Sequence, residues 1–384
     1  MRRFPSVLVF LLSCVAVTSS ALAAIPIPKP PQLDAKSFIL LDYDSGRVLA
    51  ELNPDQTVEP ASITKVMTVY VAFDQIKQKR VRVTDEVPIS EKAWRQGMDS
   101  TESRMFIEVG KTVPLGDLLR GIVIQSGNDA AVAVAEFLGG TEQGFAEIMN
   151  HYAQQLGMKN THYMDASGMP DPQHHTTARD IATLSRALIR NFPNEYKMFA
   201  EKEFTFHGIK QQNRNGLLGR DSSVDGIKTG HTNSAGYCLA ASAKRENMRL
   251  ISVVMGTPSI KAREAANAAL LSYGYQFYET AKIKSRGDVL VTPRVYKSGT
   301  KTAPVGVLQD IYVTIPRGEV AGLHKTANVQ SPLIAPLAAN KSVGELVVTN
   351  PAGETVVKVP LYPLKAVPEG GLWTKMVDSV ALWF

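Results

Sequence analysis

Glu59-Pro60-Ala61-Ser62-Ile63-Thr64-Lys65-Val66-Met67-Thr68 places a proline, then a serine and a lysine three positions apart, at the head of an apolar run that reaches Phe73. Proline suits the entry to a helix, so the stretch predicts a helix over residues 62–73. Positions i and i+3 share a helix face, which lets Lys65 reach the Ser62 hydroxyl. Free backbone N–H groups at the helix N-terminus favour an oxyanion developing beside Ser62. An ordinary serine is a weak nucleophile and needs an adjacent base. A lysine at its reference pKa of about 10.4 is a poor base, and burial or a second cation makes it a better one. Ser-x-x-Lys alone is a common spacing, so the rest of the chain has to decide.

Two other stretches complement it. Lys228-Thr229-Gly230 offers the second cation, donors for a substrate carboxylate, and a glycine that lets a substrate backbone approach a strand. Ser126-Gly127-Asn128 interrupts two apolar helical segments. There Ser126 can relay a proton to a leaving amine and Asn128 can hold a substrate amide. Taken alone, this stretch reads first as a helix-capping turn, because Ser and Asn are the usual capping types.

The three motifs occur in the order expected of active-serine enzymes that react with penicillin, 64 and 102 residues apart. With the segments Thr176-Thr177-Ala178-Arg179-Asp180 and Asp225-Gly226-Ile227-Lys228-Thr229-Gly230-His231-Thr232, the chain resembles the low-molecular-mass penicillin-binding proteins. These are the D-alanyl-D-alanine carboxypeptidases of the penicillin-binding protein 5 type. Gly127, where class A β-lactamases have Asp, favours the carboxypeptidases. The resemblance implies a catalytic set of Ser62 (nucleophile), Lys65 (general base), Ser126 (proton relay), Asn128 and Lys228. It implies substrate binding by Lys228, Thr229, Gly230, His231, Arg214 and Arg263, with backbone N–H groups of Ser62 and His231 as the oxyanion hole. The implied substrates are peptidoglycan stem peptides, with β-lactams as covalent inhibitors and no cofactor. A β-lactamase of the same fold, a D,D-endopeptidase and a non-catalytic wall-binding protein are the alternatives. No Glu-x-x-Leu-Asn segment lies between Ser126 and Lys228 to support rapid deacylation, and intact Ser62, Lys65 and Lys228 speak against a non-catalytic role.

The fold expected is α+β: a penicillin-binding/β-lactamase-like transpeptidase domain, with an antiparallel sheet and helices, over residues 24–285. Strand signals lie at 38–41 and 47–52, then at 224–230, 237–242 and 250–255, with helical spacing between and a long helix over 261–281. A small all-β domain follows over 286–367, where short strands alternate with Gly, Pro and Asn turns. Residues 368–384 form an amphipathic segment with Leu372, Trp373, Met376, Val377, Val380, Ala381 and Phe384 on one face. It is too short to span a bilayer, so it is expected to lie in the headgroup plane; the alternative is docking on the protein's own surface.

The chain has 384 residues and begins with Arg2 and Arg3, an apolar stretch over 7–17, and Ala21-Leu22-Ala23, which reads as a signal peptide over residues 1–23. The expected location is the periplasmic face of the bacterial inner membrane. Loss of the leader lowers the formal charge from +6 to +4 by removing two arginines, and no basic cluster indicates nucleic-acid binding. It also removes Cys14 and leaves Cys238 alone, so no intrachain disulfide can form and Cys238 reads as a small buried hydrophobe. Seven histidines show no metal-ligand spacing, and the adjacent His174 and His175 diverge on either a helix or a strand.

Overall fold

A computed structural model describes residues 27–96 and 102–383. The expected leader and Phe384 lie outside these residues.

The central sheet has the order Val48–Leu52, Ser37–Asp42, Met248–Thr257, Gly236–Arg245, Val224–Thr232, antiparallel throughout. Its first two strands come from the start of the chain and the other three from some two hundred residues later. Strand side chains alternate between faces, and here both faces are apolar. Ile39, Leu41, Ala240, Ile251 and Val253 pack into the helical core. Phe38, Leu40, Leu239, Ala241, Leu250 and Val254 pack under the helix Ile260–Phe277. The sheet is therefore a buried middle layer, which explains its near-continuous apolar strands.

On the first face the helix Lys65–Lys77 runs through the core, its first nine residues all buried. Around it lie Leu115–Arg120, Asn128–Gly139, Glu142–Gln155 and Ala178–Asn191. Thr141 and Thr177 cap the last two, their hydroxyls accepting from Gly144 N and Asp180 N.

The helix expected over 261–281 ends at Phe277. Tyr278–Lys284 is a strand that pairs antiparallel with Ile311–Pro316, so pairing to a distant segment overrides the helical pattern. Beyond it, a five-stranded sheet and shorter pairs enclose a separate core that includes Val305, Val313, Leu346, Val348 and Leu361. Polar contacts join the two parts: Thr280 Oγ1 donates to Asp42 Oδ2 at 2.7 Å and Arg47 donates to the Thr314 carbonyl at 2.5 Å. The final helix, Leu372–Ala381, turns its polar side inward. Asp378 accepts from Lys297 N at 2.5 Å and pairs with Arg294 at 3.1 Å. Trp373 and Trp383 stand 77% and 89% exposed. Among the described residues no helix is long and apolar enough to cross a membrane.

Candidate active site

Ser62 sits in a 3-10 turn, Ala61–Thr64, that runs straight into the Lys65 helix. Lys65 Nζ lies 2.9 Å from Ser62 Oγ, as the i, i+3 spacing requires. Its other hydrogen bonds go to Asn128 Oδ1 at 2.7 Å and the Ser167 carbonyl at 2.7 Å. The ammonium's three donors are thus all used in one fixed arrangement. Lys65 is fully buried, and that burial is the main reason its pKa falls to about 7. Asp165, Glu102 and Asp129 oppose the fall and Arg214 adds to it.

Two cations bear on this site: Arg214 helps to lower the Lys65 pKa, and Lys228 and Lys65 repel each other. Lys228 is itself buried and driven well below the ordinary lysine value, first by burial and then by Lys65, Arg214 and Arg263. Lys228 Nζ donates to the Thr229 carbonyl at 3.1 Å.

Gly230 lies against the nucleophile turn. A Cβ there would lie 3.0 Å from the Pro60 carbonyl and 3.2 Å from Ile63 N. The missing side chain faces the Ser62 turn, so the glycine lets the Lys228 strand pack against that turn. His231, next along the strand, is exposed and stacks on Tyr237 with ring centres 4.0 Å apart. Arg263 reaches in from the helix on the far face of the sheet and donates to the Gly230 carbonyl at 3.2 Å.

Ser126 follows a π-helical turn, Gly121–Gln125, in the left-handed conformation with φ +66°. That conformation is costly for a residue with a side chain, and such turns concentrate at functional sites. Ser126 is buried, and among the described residues its hydroxyl has no hydrogen-bond partner. Asn128 opens the next helix. Its Nδ2 donates to Glu102 Oε2 at 2.8 Å, which fixes the amide with its oxygen toward Lys65. Asp129 accepts from Met105, Phe106, Ile107 and Ala130 amides, pinning the segment that carries Glu102. Arg214 donates from Nε to the Gln125 carbonyl at 2.9 Å, which joins it to the base of the Ser126 turn. The fold thus assembles Ser62, Lys65 and Asn128 by direct hydrogen bonds, with Gly230 against the Ser62 turn and Arg263 on the Gly230 carbonyl.

Glu102, Asp129, Asp165 and Ser167 escaped the sequence reading. Asp165-Ala166-Ser167-Gly168 did carry a signal, since Asp before Ser and Gly favours a side-chain-closed turn. Asp165 Oδ1 accepts from Ser167 N at 2.7 Å and Gly168 N at 2.6 Å, and Oδ2 from Met169 N at 3.1 Å. Among the described residues no cluster of His, Cys, Asp and Glu could hold a metal ion.

A serine hydrogen-bonded to a buried lysine of depressed pKa, between a Ser-x-Asn turn and a Lys-Thr-Gly strand, defines an active-serine acyl-transfer site. The family model described as "D-alanyl-D-alanine carboxypeptidase" matches residues 25–259, and "Penicillin-binding protein 5, C-terminal domain" matches 278–369. The D-alanyl-D-alanine carboxypeptidase DacA of Escherichia coli K12 is 45% identical over 93% of this chain and 90% of its own length. Its counterpart from Haemophilus influenzae is 42% identical over 97% and 96%. The crystal structure of penicillin binding protein 5 from Haemophilus influenzae superposes with a TM-score of 0.86 at 42% identity, covering 89% of this chain and all of that one. The chain belongs to the D-alanyl-D-alanine carboxypeptidase family and has the penicillin-binding protein 5 fold, with an α+β domain followed by an all-β domain.

Proposed function

We propose that Ser62 is the nucleophile of a two-step acyl transfer that removes the terminal D-alanine from peptidoglycan pentapeptide stems. The observation that carries this reading is the 2.9 Å contact between Ser62 Oγ and a Lys65 amine whose pKa is brought to about 7. Near neutral pH a large fraction of that amine is free to accept a proton. Lys65 takes the Ser62 proton as the oxygen attacks the carbonyl between the two D-alanines. Backbone N–H groups of Ser62 and His231 hold the oxyanion. Ser126, whose hydroxyl has no hydrogen-bond partner among the described residues, hands a proton to the departing amine. Water then hydrolyses the ester. Lys228, Thr229, Arg214 and Arg263 supply positive charge and donors for the terminal carboxylate, while Asn128 positions the stem amide. A β-lactam acylates Ser62 by the same route and leaves slowly.

The enzyme is exported and works at the periplasmic face of the inner membrane, in cell-wall remodelling and the control of cell shape. The residue 371–384 segment holds it on the membrane surface. The exposed Leu372, Trp373, Met376, Val377, Val380 and Trp383 support this, because the polar side of that helix is already occupied by the β domain. We read the chain as four parts: leader 1–23, catalytic domain 24–285, β domain 286–367 and anchor 368–384.

Mass spectrometry after exposure to penicillin tests the central claim. The wild type gains one adduct on Ser62, and Ser62→Ala gains none and releases no D-alanine. An unmodified wild type, or an adduct on Ser62→Ala, refutes it.

A further inference from the structure

His174 has no part in the chemistry described so far, yet it is only 2% exposed and its two ring nitrogens reach opposite walls. Nε2 lies 2.9 Å from Thr64 Oγ1, on the turn that carries Ser62. Nδ1 lies 3.4 Å from both Met164 N and Asp165 Oδ2, on the loop that carries Ser167. Tyr163 closes the ring in edge-on at 5.7 Å. With its proton on Nδ1 the imidazole donates to Asp165 and accepts from the Thr64 hydroxyl. With the proton on Nε2 it donates to Thr64 and accepts from the Met164 amide. In either tautomer it links the loop to the turn.

What the loop carries gives the link its consequence. Asp165 gathers the amides of Ser167, Gly168 and Met169, which sets the direction of the Ser167 carbonyl. That carbonyl is one of three acceptors on Lys65 Nζ. Gly168, at φ +87°, lies so close that a Cβ would sit 1.8 Å from the Ala61 carbonyl. Thr68 Oγ1 ties the Ala166 carbonyl to the next turn of the same helix at 2.7 Å.

We propose that His174 is a positioning residue for acylation: by joining Thr64 to Asp165 it registers the loop on the Lys65 helix, so that the Ser167 carbonyl and the Asp165 carboxylate hold Lys65 Nζ on Ser62 Oγ. This rests on the reading of Lys65 as the base. The groups facing Lys65 are Asp165, Glu102 and Asp129 on the acidic side and Arg214 on the basic side, with Lys228 repelled by it. Loosening the loop withdraws a carbonyl and a carboxylate from the ammonium, so the acid limb of the acylation profile moves to lower pH.

The test is the acylation of wild type, His174→Ala, His174→Gln and Thr64→Val by a chromogenic β-lactam, followed by stopped flow across pH and paired with thermal unfolding. His174→Ala is expected to lower the limiting acylation rate about tenfold, the scale of one lost charge-assisted hydrogen bond, and to leave the initial binding constant unchanged. Its acid limb lies at lower pH. In His174→Gln the side-chain amide nitrogen can reach the Thr64 hydroxyl, and most of the rate returns. Thr64→Val keeps its shape and loses only the hydroxyl, so it follows His174→Ala and decides the matter if that variant does not fold. Wild-type rates in His174→Ala and Thr64→Val overturn the proposal. So does a loss that is uniform in pH and matches the unfolded fraction. A wild type that forms no adduct refutes the active-serine reading instead, which is a separate outcome.

Discussion

Replacing Lys65 by methionine separates what the lysine does for chemistry from what it costs the fold. The native pKa is about 7 against an ordinary value of 10.5, with burial as the leading cause. Below pH 7 both native and unfolded chains carry the proton, and above about 10.5 neither does. Between those limits the unfolded chain holds a proton that the native protein has released, so stability rises with pH across this window. At 1.36 kcal/mol per unit, and with the native group half-titrated at pH 7, Lys65 contributes about 2 kcal/mol to the gain in stability between pH 7 and pH 9. Lys65→Met removes that gain. It also relieves Lys228 of a repelling charge and so weakens any parallel term from that residue. The assay is urea unfolding of both proteins at pH 7 and pH 9, read by tryptophan fluorescence. Trp94 is the half-buried tryptophan, while Trp373 and Trp383 are largely exposed, so the signal reports the catalytic domain. The wild type should gain about 2 kcal/mol more than the variant over this interval. Equal slopes in the two proteins would mean that Lys65 keeps its proton in the native state, and the argument for it as a base near neutral pH would fail.

The rate constant for Ser62 acylation by a β-lactam should fall about tenfold per pH unit below 7 and level off above it, because only the neutral amine accepts the serine proton; a flat profile between pH 5 and pH 8 contradicts this. Gly168→Ala forces a Cβ against the Ala61 carbonyl at a residue already in the left-handed region, and should lower stability by about 3 kcal/mol in denaturant titrations. Trp373→Glu with Val377→Glu should weaken binding to anionic lipid vesicles at least tenfold in co-sedimentation and leave acylation untouched, since both residues are exposed on the outward side of the last helix. Unchanged sedimentation would turn the anchor reading aside.

The Ser62, Ser126 and Lys228 motifs were legible because their meaning is carried within a few residues. A serine and lysine one helical turn apart meet wherever a helix forms, and a Ser-Gly-Asn break between apolar helices announces a turn. The strands at 37–52 and 224–257 were legible for a similar reason, as apolar runs bounded by turn residues. What surrounds Lys65 was not. Glu102 bonds Asn128 across 26 residues and Ser167 bonds Lys65 across 102, so their roles exist only after the chain has closed on itself. The action of Arg214 on Lys65 was missed for that reason: nothing local in the sequence joins it to the Ser62 helix. The helix ending at Phe277 was overextended because Tyr278 continues the helical pattern, and only pairing with residues 311–316 shows otherwise.

The sheet order has a consequence for the birth of the molecule. Ser37–Asp42 finds its second partner only in Met248–Thr257, and the Ser62 turn finds Gly230 only when Val224–Thr232 arrives. A chain emerging N-terminus first from a ribosome or a translocation pore presents its serine early and its Lys-Thr-Gly strand more than 160 residues later. Until then the two N-terminal strands have only each other, with both apolar faces uncovered, and folding is governed by the closure of this long loop. A partial chain that ends before Val224–Thr232 therefore lacks the Lys-Thr-Gly side of the site, which closes only once nearly all of the catalytic half has been made.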